Sequence, residues 1–424
     1  MKIMKVKINK RIYSFFEYIL ALVLILNCRS VWMNMLHVRD WFGNGLLLLL
    51  ITSTTICIFF RGKCTLNVLN NAIFSVIIIA IYLIVFLVLN FCNGLAFLKL
   101  MVSVIFLLLY FYICTERDNI PSLFFKYSDL IFVIACVSIV FWVVGSLLEI
   151  IPVTETVYIN WSNLGNDIPI KSYYGVYFNT QGQLSILNIF SSVRNTAIFT
   201  EAPMCAFHFC LSLLVQLFLK NEVDKKKVIV LSVGIISTLS TLGYVLLLAA
   251  LAAKYILEKP GQKMGQYIKI MIIPSICIVV LLLANHLIIN RLGSGSGSIR
   301  IDDFIVGFRA WMTKPILGAG YGNQEYIKRF MQSWRVYNTG FSNSLMQLLA
   351  QMGIYGGLLY FLPLFCKVKK CVMRKNWKQL VFVGLSFYLI TFIIVTYNYI
   401  TIAFMVWCFV SSSRKVFINK RFRM

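Results

Sequence analysis

Charged residues are scarce in this chain of 424 residues. Asp, Glu, Lys and Arg together make up 13% of it, whereas soluble domains carry about 25%. Hydrophobic residues make up 60%, and a soluble fold of this size could not keep so many of them off its surface. The composition therefore excludes an ordinary soluble domain and predicts an integral membrane protein.

Patterns typical of metal, disulfide and nucleic-acid sites are also missing. The chain has three His residues, well apart in sequence, and its 12 Cys residues include no Cys-x-x-Cys pair. We therefore predict no metal site, no cofactor and reduced thiols. The net charge of +25 includes no basic patch interleaved with aromatic residues in a soluble domain, so nucleic acid is not an expected partner.

Continuous apolar runs, such as FSVIIIAIYLIVFLVL, are what the chain does contain. A helix needs about 20 apolar residues to cross the bilayer, whereas barrel strands alternate apolar and polar residues, so these runs predict helices. We predict an all-α polytopic membrane protein, with residues 1–424 forming one domain of about 12 transmembrane helices. The predicted spans are roughly 13–28, 45–60, 71–92, 94–114, 129–151, 202–219, 228–240, 241–257, 270–288, 343–365, 379–397 and 398–412.

The Lys and Arg residues predict how these spans are oriented. Most of the 40 lie in alternate connections, which the positive-inside rule assigns to the cytoplasm. We therefore predict a bacterial cytoplasmic membrane protein with both termini cytoplasmic, and membrane lipids as partners of its cations. Glu17 and Lys99 fall near predicted helix ends, from which their side chains can reach the interface by snorkelling.

Two predicted outer segments, 152–201 and 289–342, are too long to be simple connections. The second is basic despite facing outward, and its charged residues are Arg291, Arg300, Arg309, Lys314, Lys328, Arg329 and Arg335 against Asp302, Asp303 and Glu325. One interpretation is a solvated basic loop. The other is a site for an anionic ligand, because the planar Arg fork binds phosphate oxygens bidentately.

Four short motifs follow one another between about residues 190 and 360. The first, 194–203, reads RNTAIFTEAP, and the second, 239–244, reads LSTLGY. The third lies in SGSIRIDDFIVGFRAWMTKPILGAGYGN, where Arg309 is followed by ten residues and then Gly320. The fourth joins GFSNSL at 340–345 to GIYG at 353–356.

In this order the motifs resemble those of the Wzy-type O-antigen and capsule polymerases and the related O-antigen ligases. The family patterns are Arg-x-x-Gly-x-Phe-x-Glu-Pro, a Ser-Arg-Gly hairpin, Leu-Gly-x-Gly-x-Gly, and His-Asn-x-x-Leu with Gly-Ile-x-Gly. This chain departs from them in three ways. Its hairpin lacks the usual Arg, Ala202 separates Glu201 from Pro203, and Ser342 stands where relatives often have His.

The resemblance implies a metal-independent membrane glycosyltransferase with a GT-C-like fold. It would polymerise undecaprenyl-diphosphate-linked oligosaccharide repeats at the outer face, with the two outer segments as its catalytic face and a chain-length regulator as a possible partner. We expect catalytic roles for Arg194, Glu201, Arg300 and Arg309, since preorganised cations stabilise the charge that grows on a diphosphate leaving group. We expect four motif residues to contact the substrate: Tyr244, Gly320, Ser342 and Asn343.

Several alternatives remain open at this point. Glu201 and Pro203 also suit a helix start for structural reasons alone. We interpret Asp302 and Asp303 as local partners of the segment's arginines, and the glycine runs near 295 and 320 as turns of a hinged lid, not as nucleotide loops. The functional alternatives are an O-antigen ligase and a flippase or other polysaccharide transporter.

Overall fold

The computed structural model describes residues 2–61, 65–90, 92–115, 120–160, 167–186, 190–258, 295–335, 339–393 and 395–413. The described residues are 73% helical with little sheet, which confirms the all-α polytopic class. The thirteen helices of the described residues are α1 (Lys2–Leu26), α2 (Arg39–Phe60), α3 (Leu66–Leu89), α4 (Gly94–Cys114), α5 (Ser122–Phe141), α6 (Ala202–Leu214), α7 (Lys225–Ser237), α8 (Thr241–Glu258), α9 (Gly295–Thr313), α10 (Gln324–Lys328), α11 (Ser344–Met373), α12 (Trp377–Phe392) and α13 (Tyr399–Ser413). Helices α5 and α6 continue as π-helical turns to Leu147 and Leu219.

Seven helices within the described ranges are long and apolar enough to cross a membrane: α2, α3, α4, α5, α6, α8 and α11. Helices α12 and α13 are apolar but shorter. Each predicted span inside the described ranges coincides with a helix, and the predicted span 270–288 lies outside them. The apolar runs were therefore interpreted correctly as helices.

Burial separates the centre of this bundle from its lipid-facing rim. Helix α6 and its π turn are 94% buried, and α6 packs against α5, α7, α8 and α12. Helix α3 is only 22% buried, and exposed side chains such as Phe74 and Ile77 cover its outer side. An apolar exposed rim around an apolar core is the arrangement expected where lipid is the solvent.

Contacts between distant connections define two ends of the bundle. The connections predicted to be outer meet at one end, through the pairs Ser30–Phe199, Met35–Ile159, Arg194–Thr238, Asn90–Leu317 and Asn27–Tyr399. Those predicted to be inner meet at the other, through Ser14–Lys126, Asp129–Lys227, Tyr112–Ser413 and Lys370–Ser411. The described connections therefore alternate between two ends of the bundle, which are called the outer and the inner end below, after the predicted orientation.

Glu17 does not snorkel as the sequence suggested. Its side chain is 1% exposed, and its Oε1 accepts hydrogen bonds from the hydroxyls of Tyr110 (2.5 Å), Ser122 (2.6 Å) and Tyr13 (3.2 Å). A carboxyl group with three local donors has its polar contacts satisfied inside the bundle, so it need not reach the interface.

The outer segment after α5 contains β-structure that the sequence analysis did not anticipate. Strands β1 (Glu155–Ile159), β2 (Ile168–Tyr173) and β3 (Tyr177–Asn179) form an antiparallel sheet, and β4 (Gln183–Ile186) pairs with β5 (Phe190–Val193). Alternate residues of β1, Val157 and Ile159, pack against Val31 of the first outer connection. This small sheet therefore covers the outer end of α1 and α2.

Helix α11 is broken at Gly353, and the segment before α10 docks into the break. Gly353 has φ +61°, in the left-handed region that favours glycine. The freed backbone groups pair with the docked segment: the N–H groups of Ile354 and Tyr355 donate to the carbonyls of Pro315 and Ile316. The carbonyls of Ala350 and Gln351 in turn accept from the N–H groups of Ala319 and Gly320. The two glycine motifs of the sequence thus form one packed structure.

Candidate active site

Helix α9 packs one face onto the outer half of α11. On that face a Cβ added to Gly307 would lie 2.4 Å from Met346 Cβ, so only glycine allows this approach. Asp303 is fully buried on the same face, and its Oδ2 accepts from the N–H (2.8 Å) and hydroxyl (2.5 Å) of Ser342. The contact holds α9 in a defined rotation about its own axis.

A buried arginine completes this contact. Arg335 is 1% exposed, and its Nη1 lies 2.8 Å from Asp303 Oδ1 and 2.9 Å from Asp302 Oδ2. Burial raises the pKa of the Asp303 carboxyl, although hydrogen bonds from Ser342 and Arg335 act to lower it. The interpretation of the two aspartates as partners of a local arginine is confirmed, and the partner is Arg335.

Ser342 and Asn343 have clear structural roles. Ser342 ties the start of α11 to Asp303 of α9, and Asn343 caps α11 by accepting from the Met346 N–H at 3.0 Å. A serine hydroxyl hydrogen-bonded to a buried carboxylate positions backbone but is not set up as a base. Whether either residue also contacts substrate stays a prediction.

Arg300 and Arg309 lie on the exposed side of α9. Within the described part of the chain, neither forms an ion pair. They are nine positions apart, which is about two and a half helical turns, so the two side chains leave opposite flanks of the helix. The structure therefore places these two predicted cations in different positions and not in one cluster.

Arg194 and Tyr244 come together at the outer ends of α6, α7 and α8. Arg194 donates from Nε to the Thr238 carbonyl (3.1 Å) and from Nη2 to the Leu239 carbonyl (3.4 Å), at the hairpin joining α7 to α8. The Tyr244 hydroxyl donates to the Ile236 carbonyl (2.9 Å) at the same hairpin. The hairpin motif and the motif at 194–203 thus meet through Arg194.

Glu201 pairs with an arginine that the sequence analysis did not single out. Its Oε1 lies 2.9 Å from Nη1 of Arg29, which follows α1 and has φ +53°. The two side chains are 21% and 29% exposed, so both reach solvent at the outer end. The Arg29 carbonyl also accepts from the Thr200 N–H, which holds the two segments together. In the sequence, only the position of Arg29, directly after the first predicted span and therefore at the outer end, indicated that it could lie near Glu201.

Gly320 belongs to the docked segment. It has φ +105°, and an added Cβ would lie 2.5 Å from Cys92 Cβ. Asn90 reinforces the docking by donating to the carbonyls of Leu317 and Gly318. These contacts explain the glycine without a ligand, and they make 318–322 a fixed part of the outer surface in place of the hinged lid that we expected.

The geometry therefore divides the predicted site residues into four groups. Arg194 and Tyr244 stand at the hairpin between α7 and α8, Arg300 and Arg309 project from opposite flanks of α9, and Glu201 stands beside Arg29. Gly320, Ser342 and Asn343 hold the outer layer in place. Among the described residues, no group of three or more His, Cys, Asp or Glu is placed to hold a metal ion.

One segment of the chain matches a known family. Residues 228–361 match the family described as O-antigen ligase, and the match is consistent with the O-antigen ligase/polymerase superfamily. The matched segment runs from α7 to the middle of α11, so it includes Tyr244, Arg300 and Arg309 and excludes Arg194 and Glu201. No curated protein and no solved structure matches the chain.

Proposed function

We propose that this protein polymerises undecaprenyl-diphosphate-linked oligosaccharide repeats into O-antigen or capsular polysaccharide. The reaction would take place at the outer face of a bacterial cytoplasmic membrane, with both termini in the cytoplasm. The proposal is carried by Arg300 and Arg309 on α9, which form no ion pair with any residue that the structure describes and lie within a segment that matches the O-antigen ligase family. Such cations suit a substrate whose headgroup is a diphosphate.

The reaction is a glycosyl transfer. A hydroxyl of the acceptor sugar attacks the anomeric carbon of the donor glycan and forms the new glycosidic bond. The bond from that carbon to the diphosphate oxygen breaks, and its electron pair leaves with the diphosphate lipid. Negative charge therefore grows on the leaving oxygen, where a preorganised Arg donor contributes about 3–4 kcal/mol in comparable sites.

We assign the donor diphosphate to Arg194, at the hairpin between α7 and α8, and to Arg300, exposed on α9. Tyr244 hydrogen-bonds to the same hairpin and can orient the donor. Glu201 accepts the proton of the acceptor hydroxyl, with Arg29 orienting its carboxylate. This assignment uses Glu201 because Ser342, in the position where relatives often have His, already donates to Asp303.

Arg309 is assigned to the second substrate. A polymerase must hold two lipid-linked diphosphates at once, one on the growing chain and one on the incoming repeat. Arg300 and Arg309 project from opposite flanks of α9, which suits two separate anions better than one. A ligase transferring the finished glycan to another acceptor needs only the donor diphosphate, so Arg309 is the residue that separates these two functions.

The test uses a strain that lacks this protein, complemented with wild type, Arg300→Lys or Arg309→Lys. Lysine keeps the charge but loses the bidentate fork. We expect the surface-glycan ladder on a gel to collapse to single-repeat material in both variants, with each variant present at wild-type level by immunoblot. Arg329→Lys, an exposed arginine of the same outer segment, is the matched control and should keep the ladder.

Other outcomes would point elsewhere. Loss of all surface glycan, with long lipid-linked polymer accumulating, would favour the ligase. An unchanged ladder in Arg300→Lys and Arg309→Lys would remove both residues from the site. An unchanged ladder in the strain without the protein would overturn both glycan functions and leave the transporter as the alternative.

A further inference from the structure

Helix α9 exposes an apolar face although it lies outside the membrane-spanning helices. The face consists of Ile301, Phe304, Ile305, Phe308 and Met312, whose spacing of three or four residues places them on one side of the helix. Their side chains are 40–55% exposed. Five large apolar residues in one stripe form a contiguous patch, which a soluble surface rarely carries without a binding role.

The rest of α9 is arranged around this face in a regular way. The opposite side, with Asp303, Val306 and Ala310, is buried against the start of α11. Arg300 and Arg309 stand on the two borders between the exposed apolar face and the buried face, as the helical period requires. An apolar stripe bordered by arginines on both flanks is the pattern of helices that lie in a membrane interface.

The apolar face continues onto a membrane-spanning helix. Ile316, 68% exposed, follows α9 and lies beside Ile354, because the Ile354 N–H donates to the neighbouring carbonyl of Pro315. Ile354 and Leu358 are exposed on α11, on the part of that helix below its break. The exposed apolar residues of α9, Ile316 and the exposed side of α11 thus follow one another on this side of the protein, with Thr313 and Lys314 between the apolar face of α9 and Ile316.

We propose that α9 lies in the outer interface of the membrane, with its apolar face against the lipid chains and Arg300 and Arg309 at the level of the lipid phosphates. Three observations support lipid as the occupant: continuity with the exposed side of α11, the cations at both borders, and the absence of acidic partners for them within the described residues. Long Arg side chains reach phosphates from such a position by snorkelling.

This placement does not depend on the reaction. Combined with the proposed function, it explains how α9 meets substrates that never leave the membrane. A lipid-linked diphosphate sits at headgroup depth, and an interfacial helix holds its arginines at that same depth. The outer segment would then bind its substrates from the side, along the membrane surface.

Site-specific photocrosslinking tests the proposal on the full chain in vesicles of phosphatidylethanolamine and phosphatidylglycerol. p-Benzoylphenylalanine would replace Phe304, Phe308 or Met312, one at a time; the first two changes keep an aromatic ring. Phe74 of α3, exposed on the lipid-facing rim, is the positive control. Glu325 of α10, in the same outer segment and 78% exposed at its side chain, is the negative control.

We expect phospholipid adducts, detected by mass spectrometry, at positions 304, 308 and 312 and at position 74, but not at 325. Lipid adducts at 74 alone would overturn the proposal. Crosslinks from 304 and 308 to a second protein, or to another part of this chain, would also overturn it and would show that protein covers the face. Elution of every variant as wild type in size-exclusion chromatography ensures that the comparison is made on folded protein.

Discussion

The two faces of α9 carry charged residues in opposite environments. The inner face holds Asp302 and Asp303 against Arg335, which is 1% exposed and bonded to both carboxylates. The outer face holds Arg300 and Arg309 in the open, without ion pairs among the described residues. One face fixes the helix to the bundle, and the other remains available to anions and lipid.

This difference shows why a count of charges does not locate a site. Segment 289–342 has seven cations and three acids, and its excess of positive charge suggested an anion site as a whole. The structure removes Arg335 from that excess, because its charge is already compensated by buried carboxylates. What remains for a ligand is the exposed set, in which Arg300 and Arg309 leave opposite flanks.

The largest expected effect on stability comes from a substitution at the buried face of α9. Arg335→Ala leaves two carboxylates buried without their cation, and removal of one partner from such a contact costs about 3–5 kcal/mol. We expect a large fall in the thermal unfolding midpoint in detergent, or failure to accumulate. Arg309→Ala is the exposed control, and an equal midpoint for the two variants would contradict the comparison.

The next effect concerns the close approach of α9 to α11. Gly307→Ala places a methyl group 2.4 Å from Met346 Cβ and 2.9 Å from the Phe341 ring, and overpacking of this kind costs about 1–3 kcal/mol. Gly384→Ala in α12 meets nothing within 4 Å and should stabilise by about 0.5–1 kcal/mol. The thermal unfolding midpoints of the two variants show whether each substitution stabilises or destabilises the protein. Stabilisation by Gly307→Ala would show that α9 and α11 are not in contact.

A smaller effect on stability is expected at the half-exposed pair of Glu201 and Arg29. Pairs at the surface contribute about 0.2–1 kcal/mol, so Glu201→Gln and Arg29→Gln should unfold close to wild type. Their activities should differ, because we assign proton transfer to Glu201 and only its orientation to Arg29. Polymer formation from lipid-linked repeats by each single variant and by the double variant measures this, and equal losses in all three would leave Glu201 a purely structural partner.

The smallest effect on stability is expected on the exposed face. Arg300→Gln and Arg309→Gln remove no buried contact, so each should change the free energy of unfolding by less than about 0.5 kcal/mol. Their polymer ladders should nonetheless be lost. A fall in thermal midpoint comparable to that of Arg335→Ala would mean that these arginines, too, serve the fold, and the distinction between the two faces would disappear.

The helices were predictable from the sequence because each depends on its own residues. A run such as 71–92 satisfies its backbone internally and needs only lipid around it. The interpretation of Asp302 and Asp303 also held, because a carboxylate pair close to several arginines has a partner within reach. The sheet at 155–179 was not predicted, because a strand of five residues such as Glu155–Ile159 carries too short an alternation to identify it from the sequence.

Contacts between distant positions were not predictable in this way. Glu201 and Arg29 are separated by 172 positions, and nothing local to either residue identifies the other. The docking of the glycine segment into α11 depends on a break at Gly353 that creates unpaired backbone groups and on a second segment that supplies their partners. The sequence showed two glycine motifs, and their mutual contact became visible only in the folded chain.

The sequence by itself determined that this chain is a membrane protein, which connections lie at the same end of the helix bundle, and which of the predicted outer segments carry positive charge. Composition and the length of apolar runs decide those properties, since the bilayer acts on each segment separately. Only the tertiary structure decided which arginine is paired with buried carboxylates, which arginines remain exposed, and in which direction the apolar face of α9 points. Those outcomes depend on the rotation of one helix against another, and side-chain packing across α9 and α11 sets that rotation.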